Sequence, residues 1–115
     1  MRYMLLIGSA DKNQVPPTQA EMDAMIQGHE RLGKELHAAG KMVHGERLRP
    51  EGDASRVRVK AGHAQVTDGP FAETKEALGG FYLIECESKK EALEWAKRVP
   101  LREGGFVDVR PVWPM

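Results

Sequence analysis

Residues 3–7, YMLLI, form an unbroken apolar run that stops at Gly8-Ser9, the pattern of a strand buried on both faces. A polar connection follows and ends in Pro16-Pro17. Thr18-Gln19-Ala20-Glu21 then has capping-box spacing, in which two side chains satisfy free backbone donors reciprocally. Met22, Met25, Ile26, Leu32, Leu36 and Ala39 recur at the interval of one buried helical face, and Gly40 supplies a stop. A helix over residues 19–39 is expected. Residues 41–48 read as a strand, with a turn at Pro50-Glu51-Gly52-Asp53.

Arg56-Val57-Arg58-Val59-Lys60 alternates basic with apolar residues, the period of a strand with one wet face, and residues 64–67 pair back on it as a hairpin. Asp68-Gly69-Pro70 breaks the hairpin. Residues 71–78 are expected to hold one or two helical turns, closed by Gly79-Gly80. Residues 81–84, FYLI, are a second strand apolar on both faces. Ser88-Lys89-Lys90-Glu91 repeats the capping spacing before a helix carrying Ala92, Leu93, Trp95, Ala96 and Val99, which Pro100 closes. Gly104-Gly105 leads into a last alternating strand at residues 106–110.

The order is strand, helix, strand, hairpin insertion, strand, helix, strand. Such a βαββαβ frame forms an antiparallel sheet with both helices on one face. Two of its strands are nevertheless apolar on both faces, so the second sheet face needs a cover. A second copy of the same sheet is the expected cover, at roughly 1,600 Å² of total buried surface for a stable interface. The alternative is that the hairpin or the C-terminal Val112-Trp113-Pro114-Met115 folds over it.

With 115 residues the chain is expected to be a single domain, residues 1–115. Seventeen Lys and Arg balance 17 Asp and Glu, which removes the electrostatic argument for nucleic acid or an anionic membrane surface. The lone Cys86 can form neither an internal disulfide nor a Cys-based zinc site. The N-terminal apolar run is too short for a signal-peptide core or a bilayer span, so a cytoplasmic protein is expected.

His29 falls on the apolar stripe of the first helix, so its ring should face the sheet, where a sheltered imidazole suits general acid–base work. The competing reading is a core histidine satisfied by one partner. His37 lies about 12 Å further along the axis, too far to share a metal. Neither His44 nor His63 has ligand spacing with anything, so no metal is expected. Residues 68–76, DGPFAETKE, form the densest polar stretch between structured elements. They read either as a solvated turn or as a loop whose acids and lysine close a pocket, with the Tyr82 hydroxyl behind it. Cys86 between Glu85 and Glu87 is poorly placed to form a thiolate, and Trp95 reads as core.

The run DGPFAETKEALGGFYLIE, residues 68–85, resembles the signature of the DGPF-domain branch of the YCII-related family, as do YMLLI, ELHAAGKMV, EALEWAKRVP and VDVRPV. The resemblance implies a ferredoxin-like α+β fold that dimerises through its sheets into a dimeric α/β barrel. It also implies a His–Asp pair in a pocket near the dimer interface. His29 stands 11 residues before Gly40, in keeping with the family's His-to-Gly spacing. Where the wider family places the aspartate, near the second helix, this chain has Arg98-Val99-Pro100-Leu101, which leaves Asp68 as the substitute. Similar proteins include a chlorinated-aromatic dehydrochlorinase and domains found beside extracytoplasmic-function sigma factors. Two function classes follow. One is a small cofactor-independent lyase or hydrolase in which His29 and Asp68 are catalytic and Phe71, Glu73, Lys75 and Tyr82 hold an anionic or phenolic substrate. The other is a non-catalytic homodimer that binds a small-molecule ligand or serves sigma-factor signalling.

Overall fold

The computed structural model describes residues 1–114. Its elements are β1 (Arg2–Ser9), α1 (Gln19–Ala38), β2 (Met42–Arg47), a 3-10 turn at Glu51–Asp53, β3 (Ser55–Lys60), β4 (His63–Asp68), β5 (Ala77–Glu85), α2 (Lys89–Ala96) and β6 (Gly105–Pro111). The two apolar runs pair centrally and antiparallel, with Tyr3 opposite Ile84 and Leu5 opposite Tyr82. Adding β2 and β6 outside them gives a four-stranded antiparallel sheet in the order β2-β5-β1-β6. This α+β arrangement is compatible with a ferredoxin-like fold.

Both helices cover the face bearing Tyr3, Leu5 and Ile84. Leu32 and Leu36 of α1 join Ala92 and Ala96 of α2, Cys86 and Val99 in one core, with Trp95 packed against it. The first capping box forms in full: Thr18 Oγ1 accepts from the Glu21 N–H at 3.1 Å and the Glu21 carboxylate accepts from the Thr18 N–H at 2.9 Å. Only half of the second forms. Ser88 Oγ accepts from the Glu91 N–H at 3.2 Å, but the Glu91 carboxylate turns to the Glu87 N–H and to Lys41 Nζ, 3.1 Å away.

Two expectations are corrected. Residues 71–76 hold no helix, and Gly79-Gly80 ends nothing, because β5 starts at Ala77 and runs through both glycines. Gly80 is where β2 comes close; a Cβ there would meet the Glu46 carbonyl oxygen at 2.7 Å. The hairpin β3–β4 forms as expected, with Val57 opposite Val66, but its strands pair only with each other and do not join the main sheet. Its valine side is open: Val57, Val59 and Val66 are 65%, 77% and 69% exposed.

Strand register places Met4 and Leu6 of β1, Phe81 and Leu83 of β5 and Phe106 of β6 on the helix-free face. All five side chains remain half-buried, and Trp113 in the C-terminal segment is 85% exposed rather than folded over them. Met115 of the proposed C-terminal cover lies outside the described residues.

Candidate functional site

His29 sits midway along α1, four residues after Met25 and three before the buried Leu32, so the helical repeat turns its ring to the sheet. There it meets Tyr82 of β5. His29 Nδ1 and Tyr82 Oη are 2.7 Å apart, and the rings stack with centroids separated by 5.8 Å. Gly45, the cross-strand neighbour of Tyr82, makes this possible: a Cβ at position 45 would lie 2.8 Å from Tyr82 Cδ1.

Burial pushes the His29 pKa below its ordinary value, and the Arg47 charge adds to the shift. Burial also pushes the Tyr82 pKa up. The pair is therefore a neutral imidazole against a neutral phenol near neutral pH. If Nδ1–H donates to Tyr82, Nε2 keeps its lone pair and can act as a base; if Tyr82 donates to Nδ1, Nε2–H is a neutral hydrogen-bond donor.

Arg47 reaches the same region from the end of β2, its guanidinium 3.5 Å from Met22 Sδ of α1. A register shift between Met42 and His44 is responsible, because the extra residue turns Gly45 and Arg47, rather than His44 and Glu46, to the helix side.

Phe71 is buried beneath the hairpin, where its N–H donates to Glu51 Oε1 at 2.6 Å. Lys12 Nζ donates to the Phe71 carbonyl and, at 3.0 Å, to the same Glu51 oxygen. The Arg56 guanidinium lies 3.9 Å from the Phe71 ring centroid, and Arg56 and Arg58 both donate to Glu73 Oε1 at 2.8 Å. The Phe71 N–H and then Lys12 hold the Glu51 carboxyl below the usual range. The Glu73 carboxyl is lowered by its own N–H, then by Arg56 and Arg58. These contacts latch residues 71–74 to the β1–α1 loop, the 3-10 turn and β3.

The sequence candidates thus fall in four places. His29 and Tyr82 meet between α1 and the sheet, while Phe71 and Glu73 belong to the latch. Asp68 is exposed at the base of the hairpin, where it accepts from Ser55 Oγ at 2.8 Å and has no hydrogen bond to His29. Lys75 lines an open groove of about 480 Å³ on the helix-free face with Leu6, Leu78, Phe106 and Asp108. Sequence reasoning missed Lys12, Gly45, Arg47 and Glu51. The alternation at residues 56–60 puts Arg56 and Arg58 on one face of β3, where both reach Glu73, but it did not by itself name that partner.

Cys86 is buried and its thiol is pushed up to about 11, first by burial and then by Glu91, in keeping with an unreactive core residue. No helix among the described residues is long and apolar enough to cross a membrane.

The model of the YCII-related domain matches residues 1–115, the whole chain. The chain belongs to the YCII-related family. An uncharacterized protein of Rhizobium meliloti (strain 1021) is 47% identical over 76 residues, which cover 64% of this chain and 61% of that relative. The YCII-related chain thus spans about three fifths of that relative's length. In this YCII-related domain the stretch at residues 98–101 has a structural use: Arg98 pairs with Glu35 of α1 and its guanidinium lies 4.6 Å from the Trp95 ring centroid.

Proposed function

We propose that this YCII-related domain is a small cofactor-independent acid–base enzyme working as a homodimer, with His29 as the proton-transfer group. The observation that carries the reading is the 2.7 Å contact between His29 Nδ1 and Tyr82 Oη in a half-buried setting. Core histidines also find single partners, but this ring combines a reversible hydrogen bond with a depressed pKa beside an arginine. Those properties suit a base operating near neutral pH. In this reading Tyr82, rather than Asp68, orients the imidazole, and Asp68 closes the hairpin. The half-buried helix-free face supports the dimer, since isologous packing of two such faces removes Met4, Leu6, Phe81, Leu83 and Phe106 from water. Two sheets closing on each other would complete the dimeric barrel.

The test is enzyme-dependent hydrogen–deuterium exchange at acidic carbons in a panel of small keto acids, lactones and phenols, followed by NMR. Wild-type protein is expected to catalyse exchange and His29→Asn to lose it while remaining folded, with its sedimentation mass unchanged. Equal exchange by both proteins removes His29 from the mechanism. A second reading, a non-catalytic regulatory module of the kind linked to sigma-factor signalling, draws support from the groove beside Lys75. It is favoured if ligands found by thermal shift still bind the His29→Asn protein and no exchange is seen.

A further inference from the structure

The α1 stripe is closed at one end and open at the other. Leu32 and Leu36 are buried, whereas Met22, Met25 and His29 are only half-buried and Ile26 is 41% exposed. These four residues lie one helical turn or two apart on one face. The first half of α1 therefore leaves accessible apolar surface beside the sheet. The strands facing it carry little side chain at this end, since Arg47 is paired with Gly80 and Tyr82 with Gly45. The result is a short accessible apolar stripe on α1 with the His29–Tyr82 pair at its inner end.

At its outer end stands Arg47. Its guanidinium lies against the Met22 thioether, and among the described residues it makes no ion pair with a carboxylate. Arg31, Arg102 and Arg110 likewise lack a carboxylate partner among the described residues; what sets Arg47 apart is its place against Met22, close enough for its charge to act on His29. A guanidinium against an apolar wall presents a planar fork of donors suited to a carboxylate. Met22 and His29 are seven residues apart, which is about 10 Å along the axis at the standard rise. A ligand held at Arg47 can thus place another part of its body near the imidazole if it is about the size of one ring or a short chain.

We infer that Arg47 anchors the substrate, and that the substrate class is a small monocarboxylate whose apolar body lies along Met22, Met25 and Ile26 with its reacting atoms at His29. The assignment deepens the acid–base reading and rests on it for the reaction alone; the binding subsite stands on Arg47 and the open stripe. Arg47 binds and positions the anion, and the proton transfer belongs to His29.

The test is NMR titration with benzoate, cyclohexanecarboxylate and hexanoate, each against its neutral primary amide. Carboxylates are expected to shift the His29 ring and Arg47 side-chain signals and to bind at least about tenfold tighter than their amides. Arg47→Gln should erase the preference without changing the melting temperature, Arg47→Lys should retain part of it, and His29→Asn should retain it. Survival of the preference in His29→Asn when no catalytic exchange is found separates this assignment from the enzyme reading. Carboxylates and amides that bind equally, or fail to bind equally, overturn it, as does a preference that persists in Arg47→Gln or vanishes in His29→Asn.

Discussion

The Tyr82 hydroxyl and His29 Nδ1 are 2.7 Å apart across the α1–β5 interface, joining residues 53 positions apart in the chain. Tyr82→Phe removes the oxygen and leaves the ring. Loss of that hydrogen bond should lower stability by about 1 kcal/mol in denaturant unfolding. The His29 ring should also lose its fixed tautomer, visible in its nitrogen chemical shifts. Unchanged shifts would mean that Tyr82 does not orient the ring.

Gly45 is the support beneath this contact. A methyl group at position 45 would sit 2.8 Å from Tyr82 Cδ1 and 3.2 Å from the Phe81 carbonyl oxygen. Gly45→Ala should cost about 1–3 kcal/mol and displace the Tyr82 ring from His29. Gly33→Ala, with nothing within 4 Å of the added carbon, should instead stabilise α1 by about 0.5–1 kcal/mol. Thermal and denaturant melts of the two variants should therefore move in opposite directions.

Burial and Arg47 hold the folded-state pKa of His29 below its ordinary 6.5. Between the folded value and 6.5 the unfolded chain binds a proton that the folded chain does not. The contribution of His29 to stability is therefore intact above about pH 6.5 and is lost as pH falls through the folded pKa. Comparing unfolding at about pH 7.5 and about pH 5.5, wild-type protein should lose more stability than His29→Gln. Equal losses would show that the imidazole is not sheltered.

Glu51 gathers the Phe71 N–H and Lys12 Nζ at one carboxylate oxygen. Glu51→Ala should release residues 71–74, so that the Phe71 amide exchanges hydrogen faster while core amides such as Leu5 keep their protection. Unaltered exchange at Phe71 would show that the latch is held by other contacts.

The dimer proposal places Leu6 and Phe81, cross-strand neighbours on the helix-free face, at the centre of the interface. Leu6→Glu with Phe81→Glu should convert a dimeric sedimentation mass to a monomeric one with the helical circular dichroism retained. A wild-type mass that is monomeric across a wide concentration range would overturn the proposal.

Patterns with short range were legible in the chain. Apolar runs at residues 3–7 and 81–84, the Thr18 capping box and the alternation at residues 56–60 specify elements through neighbours a few positions away, and all of these elements form. His29 could be placed facing the sheet for the same reason, since helical periodicity decides orientation locally. The bulge between Met42 and His44 could not be anticipated, because an extra residue in β2 has meaning only against its partner β5. That single shift turns Gly45 and Arg47 to the helix side, which makes room for Tyr82 beside His29 and brings a guanidinium to the accessible stripe of α1. Gly79-Gly80 reads as a stop along the chain but serves as strand, because the backbone of β2 approaches closely there. Asp68 and His29 seemed partners by chemistry, yet strand pairing brings Asp68 to Ser55, and the packing of α1 on β5 brings His29 to Tyr82. Local sequence selected the elements and their faces, whereas contacts between residues far apart in the chain, settled only when the strands paired, chose which side chains share the site.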